Sequence, residues 1–363
     1  MGFPNLIASG RIVTASHLPF KRIRRMANAT TDAAALLKET IVIDGLGGAV
    51  VHPTPFMPKG TYEEMLLEQG WTAFNACLVS EPSYTPTWEE ALKSIYENLV
   101  YAEMSPKLRL CERAADILQA KRQGQLGIFF GLQSTSCIER DRTRIRILHK
   151  LGLRVLQLTY MERNFVGDGC LEPENRGLTN FGAQVVRECN RLGIVVDCSH
   201  VGIQTTLDAA RYSQQPIVVS HSAVRTLTEN PRCVTDEQIR AIAATGGLVG
   251  ITAYAPFIRY DRRPTVEDYL DHFDYAIKLV GADHVALATD MFDGKTRVNW
   301  ATPHYYPEVT RGCAYGATGV EGFNSKGEII NVVAGFLKRG YPDMVIRKVL
   351  GGNWLRVIEA VWH

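Results

Sequence analysis

Hydrophobic and polar positions along this chain alternate between two kinds of stretch. Short apolar runs, nearly uninterrupted, close on Gly or polar residues, and longer stretches between them carry apolar positions at helical spacing. The first run is Ile41-Val42-Ile43-Asp44-Gly45, and further strands are expected at 71–79, 126–132, 154–159, 194–199, 216–220, 247–252 and 284–289. Helices are expected at 32–40, 61–70, 87–104, 111–122, 142–151, 179–192, 203–212, 235–244, 265–280, 328–338 and 342–362; in the third, Trp88, Leu92, Ile95 and Leu99 line one face. Runs such as Ile194-Val195-Val196 and Ile217-Val218-Val219 imply strands buried on both faces, as in a parallel sheet whose crossovers are helical. Eight strand and helix units in register predict an α/β fold, a (β/α)₈ TIM barrel. A doubly wound sheet is the competing architecture, and the lack of a Gly-rich phosphate loop after the first strand argues against it. The domain reading is one barrel over 1–363, with 1–40 as an N-terminal extension packed on it.

Long excursions at 160–178 and 290–327 each follow a strand directly, so they are expected to wall the barrel mouth, where the loops after strands build active sites. Composition narrows the partners. Of 363 residues, 46% are hydrophobic and 21% charged, which suits a large buried core. A net charge of +2 provides no field for nucleic acid or an anionic membrane. The basic cluster Lys21, Arg22, Arg24 and Arg25 reads as a solvated face. Eight cysteines without a CxxC pair read as reduced, mostly buried thiols. The first residues lack the charged and apolar regions of a secretory signal, and no apolar run reaches the roughly 18 residues of a membrane span. The expectation is a cytoplasmic protein.

Chemistry concentrates at strand ends. Asp197-Cys198-Ser199-His200 closes one expected strand and Val218-Val219-Ser220-His221 the next, which sets two imidazoles at one height on neighbouring staves, able to share a metal ion. An isolated strand-end His is more often an ordinary polar residue; the repeated Ser-His ending favours the metal. Asp290 ends the last strand, Val285-Ala286-Leu287-Ala288-Thr289, close to the first strand in a closed barrel, where it can ligate metal or take a proton. Its plainer reading is a turn or helix-cap Asp. His149, His272 and His284 read as structural or exposed.

At these residues the chain resembles the membrane dipeptidases, the zinc dipeptidases of peptidase family M19, from about residue 40 to the C-terminus. Gly177-Leu178-Thr179-Asn180-Phe181-Gly182, Val185 to Gly193, Asp197 to His200, Pro216 to Ala223 and Asn353 to Glu359 carry the likeness. The resemblance implies two zinc ions held by His-x-Asp after the first strand, a bridging Glu after the third, and one His after each of the fifth and sixth. Here Leu46-Gly47-Gly48 follows Asp44-Gly45, and Gly131-Leu132-Gln133 stands for the Glu segment. Only His200 and His221 remain, with Asp290 as a candidate third ligand and Gln133 or water to complete the shell; Gln133 is also a candidate substrate-binding residue, and being neutral it cannot offset the repulsion of two dications. The expectation is therefore one divalent metal, zinc first and iron as the alternative. His52, Glu162, Asp168 and Cys198 are candidates to replace lost ligands, and His304 is undecided.

The resemblance further implies that Arg232 holds a substrate carboxylate, a task suited to a guanidinium fork. Its alternative is a surface salt bridge. Tyr160 stands where the family carries a substrate-facing His, and either donates a hydrogen bond or closes the mouth. The family's habit suggests a homodimer. The functional expectation is a dipeptidase-like metal-dependent hydrolase that cleaves an amide or related bond of a small carboxylate-bearing substrate. The alternatives are changed chemistry in the same barrel, as a mononuclear iron enzyme or lyase, and a non-catalytic small-molecule-binding homologue.

Overall fold

A computed structural model describes residues 32–47, 61–78, 86–291, 307–310 and 319–363. All eight expected strands are present within these residues: β1 (Ile43–Asp44), β2 (Ala73–Cys77), β4 (Leu126–Leu132), β5 (Leu153–Gln157), β6 (Val195–Asp197), β7 (Val218–Ser222), β8 (Leu248–Ile251) and β9 (Val285–Leu287). They run parallel in the order β1-β2-β4-β5-β6-β7-β8-β9, with β3 (Leu108–Leu110) off this path against β4. The short β3 lies ahead of an expected helix start at 111; the helix begins at Ala114, after Arg113. The ends of the path meet where the Gly45 N–H donates to the Leu287 carbonyl at 3.2 Å, so the sheet is an almost closed (β/α)₈ barrel.

Each barrel strand contributes a side chain to one inner cluster: Ile43, Ala73, Phe129, Val155, Val195, Val218, Leu248 and Ala286. Trp354, Val357, Ile358 and Val361, from the helix Asn353–Val361, join the same cluster and stop it with bulk. The expected single helix over 342–362 is divided by a π segment at Lys348–Gly352 between Asp343–Arg347 and Asn353–Val361. A larger apolar cluster fills the space between barrel and outer helices.

Helix ends follow local chemistry. Thr179 Oγ1 accepts from the Gly182 N–H at 2.9 Å to start Asn180–Leu192, and Gly193, at φ 74, ends it in the left-handed region. Thr87 and Glu90 form a reciprocal cap at the start of Trp88–Met104. Of the proposed N-terminal extension, only the helix 32–39 is described, with Ala33, Leu36 and Leu37 buried in the outer cluster. The expectations about residues 1–31, Gly48, His52 and His304 lie outside the described residues, as does most of 290–327. Of the seven described cysteines, six are buried and Cys170 is half-buried. His272 is buried and structural: its Nδ1 accepts from the Val224 N–H at 3.0 Å.

Candidate active site

The strand-end histidines converge as expected. His200 Nε2 and His221 Nε2 are 3.0 Å apart, and both residues are buried. Tyr160 stacks on His200, ring centroids 4.1 Å apart and 22° between planes, so it closes one side of the pair. His200 has φ 64 and Asp290 φ 57. Left-handed backbone at non-glycine residues costs energy and gathers at functional sites. Two of the residues singled out from the sequence occupy it.

Beneath the pair lies a device that sequence reasoning missed. The buried Asp197 accepts from the Ser199 N–H at 2.9 Å and Oγ at 2.8 Å, and from the Ser220 N–H at 2.8 Å and Oγ at 2.5 Å. It ties the end of β6 to β7 and sets His221. Because the Ser220 hydroxyl donates to Asp197, its oxygen is left to accept from His221 Nδ1–H at 2.7 Å, which leaves His221 Nε2 as a bare lone pair. Burial, reinforced by the Arg232 guanidinium, holds both imidazoles well below their usual pKa, hence neutral.

Asp44 repeats the device where the barrel closes. It accepts from the Leu46 N–H at 3.2 Å, the Thr289 N–H at 2.8 Å and Thr289 Oγ1 at 2.6 Å. The residue after Thr289 is Asp290, whose N–H donates to the Leu46 carbonyl at 3.0 Å. Burial pushes the Asp290 carboxyl up to about 7; Arg232 and Lys326 pull it down and Asp44 pushes it up. A carboxyl poised there exchanges protons near neutral pH. The signal for both devices was readable: an Asp closing one strand, and Ser-His or Thr-Asp closing the strand beside it.

Arg232 is 2% exposed and is not a surface residue. Its Nη2 donates to the His221 carbonyl at 2.8 Å and its guanidinium lies 5.3 Å from the Phe257 ring centroid. Nε and Nη1 are buried and make no hydrogen bond, so two donors remain for an anion. Arg232 and His200 line one cavity of about 200 Å³ with Arg225, Cys198 and Cys170. The excursion 160–178 is a wall of this region: the Cys170 N–H donates to the His200 carbonyl at 2.8 Å. Gln133 is buried at the end of β4, its carbonyl held by Gln157 Nε2. Asp168 binds Arg163 and the Arg176 N–H, which makes it a loop anchor and no replacement ligand.

Two nitrogens about 2.05 Å from one tetrahedral ion would lie about 3.3 Å apart. The 3.0 Å separation and the neutral state of the imidazoles therefore fit one ion. They do not fit a pair of ions. Leu46 has no donor side chain, Gln133 has no charge, and among the described residues no three His, Cys, Asp or Glu side chains are grouped to hold a metal. Asp290 is thus not assembled with the histidines as a third ligand.

An almost closed parallel barrel with paired histidines after adjacent strands defines a (β/α)₈ barrel with a candidate metal site at its mouth. The chain belongs to the membrane dipeptidase family, peptidase family M19, whose model matches residues 61–314. It is 26% identical over 301 residues to the dipeptidase tcpJ of Claviceps purpurea, covering 80% of this chain and 65% of that protein, so it spans less than two thirds of that relative's length. An amidohydrolase from Pseudomonas aeruginosa superposes with TM-score 0.81 at 32% identity, over 91% of this chain and 99% of the other. A metallopeptidase from Rhodobacter sphaeroides, liganded with a phosphinate mimic of the dipeptide L-Ala-D-Ala, shares the fold with TM-score 0.73 at 22% identity, over 89% of this chain and all of that one. The family's metal dependence suits the histidine pair, and its two-metal ligand set is not present here.

Proposed function

We propose that this protein hydrolyses an amide bond in a small substrate bearing a carboxylate, with one zinc ion held by His200 and His221. The observation that carries this reading is the convergence of two neutral imidazoles beside a buried arginine with two donors to spare. Arg232 takes the carboxylate through an unpaired N–H, on Nε or on Nη1, fixing the substrate between the cavity and the histidine pair. Tyr160 excludes water from one face of His200. Ser220 and Asp197 hold His221 in the tautomer that offers Nε2, and any ion shared by both rings requires the His200 proton on Nδ1. A bound divalent ion supplies Lewis acidity towards the scissile carbonyl and the attacking water. Asp290 accepts the proton released by the water and returns it to the leaving amine; its elevated pKa suits both halves of the transfer. No described helix is long and apolar enough to cross a membrane, and the proposed setting is the cytoplasm, as a homodimer.

The test is direct. Purified protein incubated with L-Ala-D-Ala and L-Ala-L-Ala should release free amino acids, lose this activity to a chelator and recover it with zinc, carrying one zinc per chain by elemental analysis. Metal-free protein with full turnover, or turnover indifferent to Asp290→Asn, overturns the scheme. That no third ligand is grouped with the histidines among the described residues favours one second reading, a carboxylate-binding protein without turnover. Thermal stabilisation by the dipeptide in the absence of hydrolysis would select it.

A further inference from the structure

Lys326 opens the short turn Lys326–Glu328 far along the chain from β1, yet its side chain is buried against the first-strand loop; Lys326 is 1% exposed and Asp44 0%. A buried ammonium persists only with partners. Nζ donates to the Gly47 carbonyl at 2.5 Å, lies 3.4 Å from Asp44 Oδ2 and 3.3 Å from Tyr62 Oη, and stands 5.2 Å from the Phe74 ring centroid. Its own carbonyl is fixed by the Trp71 indole N–H at 3.0 Å. Gly47 is held by the same packing, since a Cβ there would fall 2.5 Å from the Phe74 ring. The ammonium therefore touches the segment between positions 44 and 48, where the family carries its first two ligands. The matching device at Asp197 is satisfied by Ser199 and Ser220. The Asp44 device alone is built around a cation.

We propose that Lys326 is the fixed cation of the first-strand half of the barrel mouth, a positioning residue that fixes the Asp44 side chain and, through the Asp44 to Thr289 bonds, the left-handed Asp290. The inference rests on the reading of Asp290 as the proton acceptor. A buried ammonium on that side opposes the binding of a dication beside it. A buried salt bridge seldom adds stability, but it can fix geometry. Here the geometry fixed is that of the residue after Thr289.

The experiment uses the full chain with Lys326→Met, and Lys326→Gln as the variant that keeps a donor for the Gly47 carbonyl without the charge. Amide hydrogen exchange is followed in peptides spanning Val285–Asp290 and Val218–Ser222. The expected result in the metal-free protein is at least about tenfold faster exchange in the first peptide and little change in the second. With L-Ala-D-Ala, kcat should fall while KM stays within about twofold. Exchange that accelerates equally in both peptides, or in neither, overturns the proposal, as does a wild-type chain carrying two zinc ions. If the wild type shows no turnover the hydrolase reading fails, and the exchange pattern still decides the role of Lys326.

Discussion

Replacing Asp290 with Asn should make the metal-free protein more stable at neutral pH while removing its activity. The substitution isolates charge, because Asn has nearly the same shape and is among the few residues that tolerate the left-handed backbone, here φ 57. Burial moves the carboxyl from its ordinary 3.8 to about 7. At 1.36 kcal/mol for each pKa unit this corresponds to a penalty of about 4 kcal/mol for the ionised form, and since Asp290 keeps an edge open to the mouth, about 2 kcal/mol is the working figure. The folded-state pKa lies above the unfolded one, so the unfolded chain gives up this proton first as pH rises. The stability allowed by the protonated carboxyl is complete below about pH 3.8 and lost progressively towards pH 7. The gain in Asp290→Asn should therefore be about 2 kcal/mol at about pH 8, under about 1 kcal/mol at about pH 5, and nil in stronger acid. Urea unfolding in chelator, read by tryptophan fluorescence at several pH values, measures it. Turnover by the zinc-loaded variant should drop by about 10² to 10⁴. A gap between variant and wild type that is the same at both pH values would refute the electrostatic account.

Three further outcomes are expected. Arg232→Lys removes the planar fork beside the cavity and should raise KM for a dipeptide about tenfold or more with a smaller change in kcat, measured by steady-state kinetics; an unchanged KM would place the carboxylate elsewhere. Ser220→Ala removes the acceptor for His221 Nδ1–H, so zinc affinity by calorimetry should weaken about 10- to 100-fold. Thr179→Ala deletes the cap of Asn180–Leu192 and should cost about 1 kcal/mol in urea unfolding without altering zinc binding.

The eight barrel strands were legible because burial on both faces leaves uninterrupted apolar runs, and their order followed from helices between parallel strands. β3 was not: Leu108-Arg109-Leu110 is too short to show a period, and it pairs only with the start of β4. The π segment at Lys348–Gly352 was equally hidden, since a widened turn leaves the apolar pattern continuous. At the site, the Ser-His repeat announced the histidine pair. The burial of Arg232 was not readable, because Asn230-Pro231-Arg232 by itself left both a carboxylate holder and a surface salt bridge open. Lys326 was passed over for a comparable reason: its partners Asp44, Gly47 and Tyr62 come from the other end of the chain, and no local spacing connects them.

The two aspartates account for how this barrel keeps its geometry with fewer ligands than its family. In a two-metal site the ions themselves crosslink strand ends, and their loss would ordinarily free the loops that carried them. Here Asp197 binds β6 to β7 and Asp44 binds β9 to β1, each accepting an amide two residues on together with a hydroxyl and an amide from the neighbouring strand. Each presents a functional residue directly after that hydroxyl, His221 after Ser220 and Asp290 after Thr289. The left-handed backbones of His200 and Asp290 each sit next to one of these devices. On the proposed reading, the Lys326 ammonium occupies the first-strand side of the mouth while the remaining groups keep their positions, and a poised carboxyl and a buried guanidinium stand beside the histidine pair.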